Sequence, residues 1–248
     1  MPSLKLVAAA VCGFATTALA HGLVSGFVTD GKYNQGYILD YYYLVKNGGT
    51  LPAIAGWYEE ALDLGFVQPN NFGTQDINCH INSAPGSIAG TVSAGGTIEF
   101  QWTTWPHGLG PMLTYIAPYS GSPSSIDKSK LLWTKIDEAG INYSTQVWAA
   151  QEMIDNNNTW TITVPKTLKA GTYVFRHETI AAHGAGSANG AQAYPFCINI
   201  QVTGSGTSVP SGGTLGVNLY KATDPGILFN PYTTITSYTI PGPALWTG

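Results

Sequence analysis

Residues 97–102 read TIEFQW. Ile98, Phe100 and Trp102 alternate with polar neighbours, so an extended chain places all three on one face. The same period of two runs through TWTITVP (159–165), where Trp160, Ile162 and Val164 share a side. It continues in GTYVFRHE (171–178) and FCINIQV (196–202). Glycine and proline punctuate these runs. Several short alternating runs with long connections predict an antiparallel β-sandwich of the immunoglobulin or fibronectin kind. Helical periodicity is scarce, and SSIDKSKLLWTKID (124–137) has room for one or two turns.

Two stretches escape the pattern. Residues 31–95 are weakly periodic and include GYILDYYYLVKNGG (36–49) and GWYEEALDLGFVQPNNFG (56–73). Long ordered loops in compact domains are usually functional. The tail from Gly204 onward is also loop-like. Yet YKATDPGILFN (220–230) and SYTIPGPALW (237–246) hold too many large apolar side chains to stay solvated. This tail is expected to wrap onto the sandwich. No internal repeat is visible, and residues 21–248 read as one β domain. No cysteine lies beyond Cys197, so no small Cys-rich carbohydrate-binding module is expected to follow.

Residues 1–20 combine Lys5, the short apolar stretch LVAAAVCGFA (6–15) and Ala18-Leu19-Ala20. That is the layout of a secretory signal cut after Ala20. The apolar run is too short to span a bilayer. A secreted, extracellular protein without a membrane anchor, beginning at His21, is expected. Charged residues are sparse at 10%, while 12% of residues are aromatic and 30 are glycine, a balance that suits a loop-rich extracellular β protein. The 10 Lys+Arg against 14 Asp+Glu provide no basic stripe for phosphates, which argues against a nucleic-acid partner. Cys12 leaves with the signal, so Cys79 and Cys197 are expected to form one disulfide in an oxidising compartment. Asn142-Tyr143-Ser144 and Asn157-Asn158-Thr159 are candidate N-glycosylation sites.

The chain has five histidines: His21, His80, His107, His177 and His183. It contains no His-Glu-x-x-His, no Gly-x-Ser-x-Gly and no paired-Cys zinc motif. No acidic pair stands out for glycoside hydrolysis. His21 is unusual because cleavage after Ala20 would join a free α-amine to an imidazole. The amine and Nδ1 can chelate one metal, and one more imidazole would complete a planar three-nitrogen site. Nitrogen donors in a tetragonal plane favour copper.

Several blocks then resemble one family in order. They are AHGLV (20–24), DINCHINSAPG (76–86), WPHGLGPMLTYIAPY (105–119), FRHETIAAHGAGSANGAQAYPFCINIQV (175–202), YKATDPGILFNPY (220–232) and YTIPGPALW (238–246). The chain resembles the fungal lytic polysaccharide monooxygenases of auxiliary activity family nine, once classed as glycoside hydrolase family sixty-one.

This resemblance implies a single catalytic β-sandwich domain with one copper ion per chain. His21 would give the amine and Nδ1, and His107 the third nitrogen. Tyr194 would be a weak axial ligand. His183 and Gln192 would hydrogen-bond the reacting oxygen, and Cys197 would pair with Cys79. The implied activity is hydroxylation at C1 or C4 of glycosidic bonds in cellulose or a related β-1,4-glucan. It would use dioxygen or hydrogen peroxide and an external electron donor, either a small reductant or a partner of the cellobiose dehydrogenase kind. Tyr238 and Tyr43 are the candidate stacking residues for the glucan face, and a monomer is expected. One departure stands out. The family commonly has one residue between the second histidine and the Gly-Pro pair, whereas HGLGP (107–111) has two.

Two other classes compete. A non-catalytic secreted polysaccharide-binding protein would keep the sandwich without active copper. A secreted zinc hydrolase would use the same histidines but lacks an obvious general-base glutamate beside them. His80 reads as a loop residue bonded to backbone. His177 reads as structural, paired with Glu178 or with backbone.

Overall fold

The alternating runs become strands in the computed structural model, which describes residues 21–62 and 65–248. The expected export signal, residues 1–20, lies outside the described residues. In chain order the strands are β1 (Val24–Thr29), β2 (Lys32–Gln35), β3 (Gly90–Ser93), β4 (Thr97–Trp102), β5 (Met112–Pro118) and β6 (Leu132–Ala139). They continue with β7 (Ile141–Asn142), β8 (Val147–Trp148), β9 (Thr159–Thr163), β10 (Gly171–Ala181), β11 (Gln192–Thr203) and β12 (Thr214–Leu215). Three short helices, α1 (Leu39–Lys46), α2 (Asp76–Cys79) and α3 (Ala149–Asp155), lie in the connections. The stretch 124–137 holds two single 3-10 turns, Pro123–Ser125 and Lys128–Lys130, before it enters β6.

A four-stranded sheet in the order β2-β1-β4-β9 faces a six-stranded sheet in the order β12-β6-β5-β10-β11-β3. The pairings are antiparallel except for β3, which runs parallel to β11. That strand follows the long 31–95 excursion, so no hairpin turn sets its direction. Between the sheets lies the core. Phe27, Ile98, Phe100, Trp102 and Ile162 from one side meet Met112, Phe175, Tyr194, Ile198 and Ile200 from the other. Each large apolar side chain buried there contributes roughly 1.5–3 kcal/mol.

The two sheets differ in what covers their outer faces. β4 alternates between buried and more exposed positions along its length, as TIEFQW predicts. β10 and β11 are buried at nearly every position, on both faces. Trp57, Val67, Phe72 and Ile77 from the 31–95 region cover the outer face of this sheet, with Leu219, Tyr220 and Ile227 from the tail. The tail therefore does wrap onto the sandwich. The Cys79–Cys197 disulfide ties the covering segment to β11.

Alternation along β10 sorts its polar residues. Phe175 and His177 point into the sandwich, where the His177 ring stacks on Phe100 with centroids 3.9 Å apart. Arg176 and Glu178 point outward beneath the covering loops and are fully buried. The Arg176 guanidinium donates to the Ile77 and Asn78 carbonyls and pairs with both Glu178 oxygens. The Tyr220 hydroxyl donates to Glu178 and lies 2.8 Å from the Tyr115 hydroxyl. Among the described residues, no helix is long and apolar enough to cross a membrane.

Candidate metal centre

Strand register gathers the candidate residues at one end of the sandwich. Val24 of β1 pairs with Trp102 of β4, so the start of one strand meets the end of the other. The chain before β1 therefore lies beside the loop that carries Trp105 and His107. On the second sheet, Thr179 of β10 pairs with both Met112 of β5 and Tyr194 of β11. Ala181 pairs with Gln192, which leaves His183 in the turn just beyond. Residues from three separate parts of the chain, His21, His107 and the 183–194 segment, thus share one edge.

Two glycines fix how tightly the loops approach. A Cβ on Gly22 would sit 2.9 Å from Thr103 Oγ1 and 3.1 Å from the Trp105 ring. Only glycine lets the chain behind His21 slide against that loop. The Leu23 amide donates to Thr103 Oγ1 at 3.0 Å, and the Thr103 amide donates to the Leu23 carbonyl at 2.9 Å. Gly110 closes the other side with φ +149°, and a Cβ there would meet the Ile180 carbonyl at 2.3 Å.

The rings cluster closely. His21 lies 5.7 Å from His107 and 5.8 Å from Tyr194, centre to centre. With nitrogens about 2 Å from an ion, two imidazoles flanking it lie roughly 6 Å apart, so the His21–His107 separation fits one shared metal ion. Among the described residues, no group of three His, Cys, Asp or Glu side chains converges.

Tyr194 is fully buried and packs edge-on against Trp105 at 4.7 Å. Its hydroxyl donates to Gln192 Oε1 at 2.8 Å. His183 stacks on His107, with centroids 4.2 Å apart and planes 20° apart. Its Nδ1 is buried with no hydrogen-bond partner. Burial first, then His21, hold the His183 imidazole below its usual pKa. The Trp105 indole donates to the His107 carbonyl at 2.8 Å and steadies the loop.

Two further aromatics belong to this end and carry no sequence signal of their own. Phe66, from the weakly periodic region, packs 5.6 Å from His21 and 5.8 Å from Tyr194. Tyr232 is 71% exposed, and its hydroxyl donates to the His183 carbonyl at 2.9 Å. Tyr238, expected to offer a stacking face, does not present an open ring. It packs edge-on against Trp148 at 4.7 Å and against Phe229 at 5.2 Å, and its hydroxyl donates to the Gly226 carbonyl. Tyr43 stands exposed on α1.

The remaining histidines are structural. His80 is buried, with Nε2 2.9 Å from the Gly65 carbonyl and Nδ1 accepting the Ile81 amide. Of the two expected partners, His177 does not take Glu178 and does hydrogen-bond backbone, at Leu113. Its Nε2 accepts the Trp102 indole N–H at 3.2 Å, which places the ring proton on Nδ1, 2.9 Å from Thr114 Oγ1. Glu178 points to the opposite face of the strand and is taken by Arg176 and Tyr220. Both sequon asparagines are exposed.

Two imidazoles and a buried tyrosine thus meet at one end of the sandwich. Residues 21–239 match the profile of Auxiliary Activity family 9, formerly GH61, and the chain belongs to that family. It is 60% identical, over 94% of both chains, to AA9 family lytic polysaccharide monooxygenase D of Botryotinia fuckeliana. The solved structure of Cel61B from Hypocrea jecorina superposes with a TM-score of 0.90 at 60% identity, covering 91% of this chain and all of that one. A structure named as a cellulose-active polysaccharide monooxygenase from M. thermophila matches at 30% identity and a TM-score of 0.78, covering 92% of this chain and all of that one. The protein is therefore a lytic polysaccharide monooxygenase, an enzyme of a family that cleaves polysaccharide oxidatively with copper and external reductants. Family members are generally secreted fungal proteins.

Proposed function

We propose that this enzyme cleaves cellulose and related β-1,4-glucans by hydroxylation at C1, C4 or both, with one copper ion held by His21 and His107. The carrying observation is the convergence of the His21, His107 and Tyr194 rings at one end of the sandwich. The likeness to a cellulose-active enzyme supports the substrate. When bound, copper supplies one-electron chemistry with dioxygen or hydrogen peroxide after reduction by a small reductant or a redox protein of the cellobiose dehydrogenase kind.

The chain's own residues do the rest. Cleavage after Ala20 would free the His21 amine, which would give the third nitrogen. Trp105 and Phe66 wall the rings and hold their orientation. Tyr194 would lie against the bound ion as a weak ligand, and its hydroxyl is held by Gln192. His183 and Gln192 would offer hydrogen bonds to the reacting oxygen. Tyr232 takes the stacking role first given to Tyr238, with Tyr43 as the more distant contact. A pyranose presents a face of C–H groups to such rings. The protein is exported as a monomer, and Asn142 and Asn157 are open to glycosylation.

One Gly placed ahead of His21 tests this reading. It turns the amine into an amide and leaves the side chain and core untouched. Copper affinity falls by about a thousandfold or more, roughly 4 kcal/mol, and oxidised oligosaccharide release drops to background. Melting of the metal-free protein is unchanged. Isothermal titration with Cu(II) and product mass spectrometry read both, and full affinity in the extended protein would overturn the site.

A further inference from the structure

The loop that carries His107 is gripped from outside at both ends. Near its start, Thr103 exchanges two hydrogen bonds with Leu23. Near its end, the Ala182 amide donates to the Leu109 carbonyl at 2.8 Å and the Ala150 amide donates to the Gly110 carbonyl at 3.1 Å. His107 sits between these holds, and the longer spacer in HGLGP gives that stretch more freedom to lose. Trp105 steadies the middle. Its indole donates to the His107 carbonyl at 2.8 Å, and its ring meets the His107 ring edge-on at 5.3 Å and Tyr194 at 4.7 Å. The Trp105 main chain is in turn fastened to Asn158, whose Oδ1 accepts the Trp105 amide at 2.9 Å.

Asn158 belongs to the turn between α3 and β9. Asn157 and Asn158 have φ of +57° and +59°, and the Thr159 amide donates to the Asn156 carbonyl at 3.1 Å. Two successive left-handed residues inside such a turn favour glycine or asparagine. Glycine would meet the backbone requirement alone. Asparagine adds an acceptor, and at Asn158 that acceptor is aimed at the loop with His107. The Asn158 carbonyl also takes the Trp102 amide at 2.9 Å, so one residue grips both the end of β4 and the loop beyond it. The turn closes without the Asn158 side chain. Asn156 Nδ2 donates to Thr159 Oγ1 at 2.8 Å, and Thr159 Oγ1 donates to the Asn156 carbonyl at 2.7 Å.

We infer that Asn158 is a positioning residue for the metal centre: through Trp105 it sets where the His107 ring stands relative to His21. The inference rests on the proposed reading of His21 and His107 as the copper ligands. The links are the Trp105 amide on Asn158, the Trp105 indole on the His107 carbonyl, and the Trp105 ring against the His107 and Tyr194 rings. A metal site works only when its ligands are held within about 0.5 Å of the productive geometry. The 5.7 Å between the His21 and His107 rings is the separation these links maintain.

The test isolates that one acceptor. Asn158→Gly keeps the left-handed backbone and removes the side chain. Asn158→Asp keeps an acceptor in the same place and tolerates the same backbone. Asn156→Ala is the control, because its hydrogen bonds hold the turn and do not reach the loop. Every variant retains Asn157 and Thr159, and all proteins are processed at His21 and deglycosylated before comparison. In the metal-free protein, Asn158→Gly speeds hydrogen exchange at the Trp105 amide. Loaded with Cu(II) and without reductant, it shows an altered copper hyperfine splitting by electron paramagnetic resonance. It also binds Cu(II) roughly two- to tenfold more weakly, the equivalent of one lost hydrogen bond. Asn158→Asp and Asn156→Ala keep the native exchange, spectrum and affinity. A native spectrum and affinity in Asn158→Gly overturns the positioning role alone, as does the same change in Asn158→Asp or Asn156→Ala. Failure of the unsubstituted protein to bind Cu(II) overturns the copper-site reading and the positioning role with it.

Discussion

Arg176 and His183 ride on the same β10–β11 hairpin, yet their surroundings are opposites. Around Arg176, the guanidinium, the Glu178 carboxylate and the Tyr220 hydroxyl are matched to one another or to backbone, and all three residues are buried. At His183 the ring is half-buried and Nδ1 has no hydrogen-bond partner. The first cluster lies under two covering segments, whereas the second lies at the uncovered end of the sheets. A buried polar group with complete partners locks chain segments together. An unmatched nitrogen at an open edge is poised for something outside the fold. The difference separates the part of the molecule that holds the shape from the part proposed to act.

Cutting the covering segment loose gives the largest expected effect. The Cys79–Cys197 bridge spans 118 residues, and chain entropy assigns about 4–5 kcal/mol to a loop of that size. Replacing both cysteines with alanine lowers stability by that order in chemical denaturation, and it leaves the copper affinity of the folded protein unchanged. Loss of copper binding at native-like folding would show that the two regions are coupled.

Next comes the charge cluster itself. Glu178→Leu strands the Arg176 guanidinium among buried groups and costs about 3–5 kcal/mol. A loss below 1 kcal/mol would mean that the pair is dispensable and that the contrast with His183 is overstated.

His177 sharpens the contrast through pH. Burial, the largest cause, pushes its pKa down to about 3, below the unfolded value near 6.5. The folded protein therefore keeps the ring neutral while the unfolded chain takes up a proton. Its contribution is complete above pH 6.5 and is lost as pH falls from there toward 3. Native protein loses stability about 1.4 kcal/mol per pH unit more steeply across that window than His177→Gln. Parallel pH profiles for the two proteins would place the titration elsewhere.

The smallest effects separate two tyrosines in one tail. Tyr238→Phe removes the hydrogen bond to the Gly226 carbonyl and costs about 1 kcal/mol of stability, with glucan affinity unchanged. Tyr232→Ala alters melting little, because the ring is largely exposed, and it weakens glucan binding. The reverse pattern would return the stacking role to Tyr238.

Much of this was legible along the chain. Period-two alternation marks the strands because a pleated backbone turns successive side chains to opposite faces, whatever the rest of the fold does. Cysteine count leaves one disulfide, which the structure contains. Such features depend on neighbours in sequence. Others depend on which segments come to rest against one another. The complete burial of β10 and β11 follows from loops folded over them, which no local period records. Phe66 reaches His21 only because the 31–95 region folds back to that edge. Tyr232 and Tyr238 carry the same side chain on one loop, and packing alone sets one ring in water and the other against Trp148. His177 and Glu178 are adjacent in sequence but lie on opposite sides of a sheet, so their partners come from different layers. Sequence by itself determined the strands, the cysteine pair and the candidate ligands, because local geometry and residue chemistry are written residue by residue. Tertiary structure alone decided which surfaces are covered, because burial depends on contacts between segments far apart in the chain.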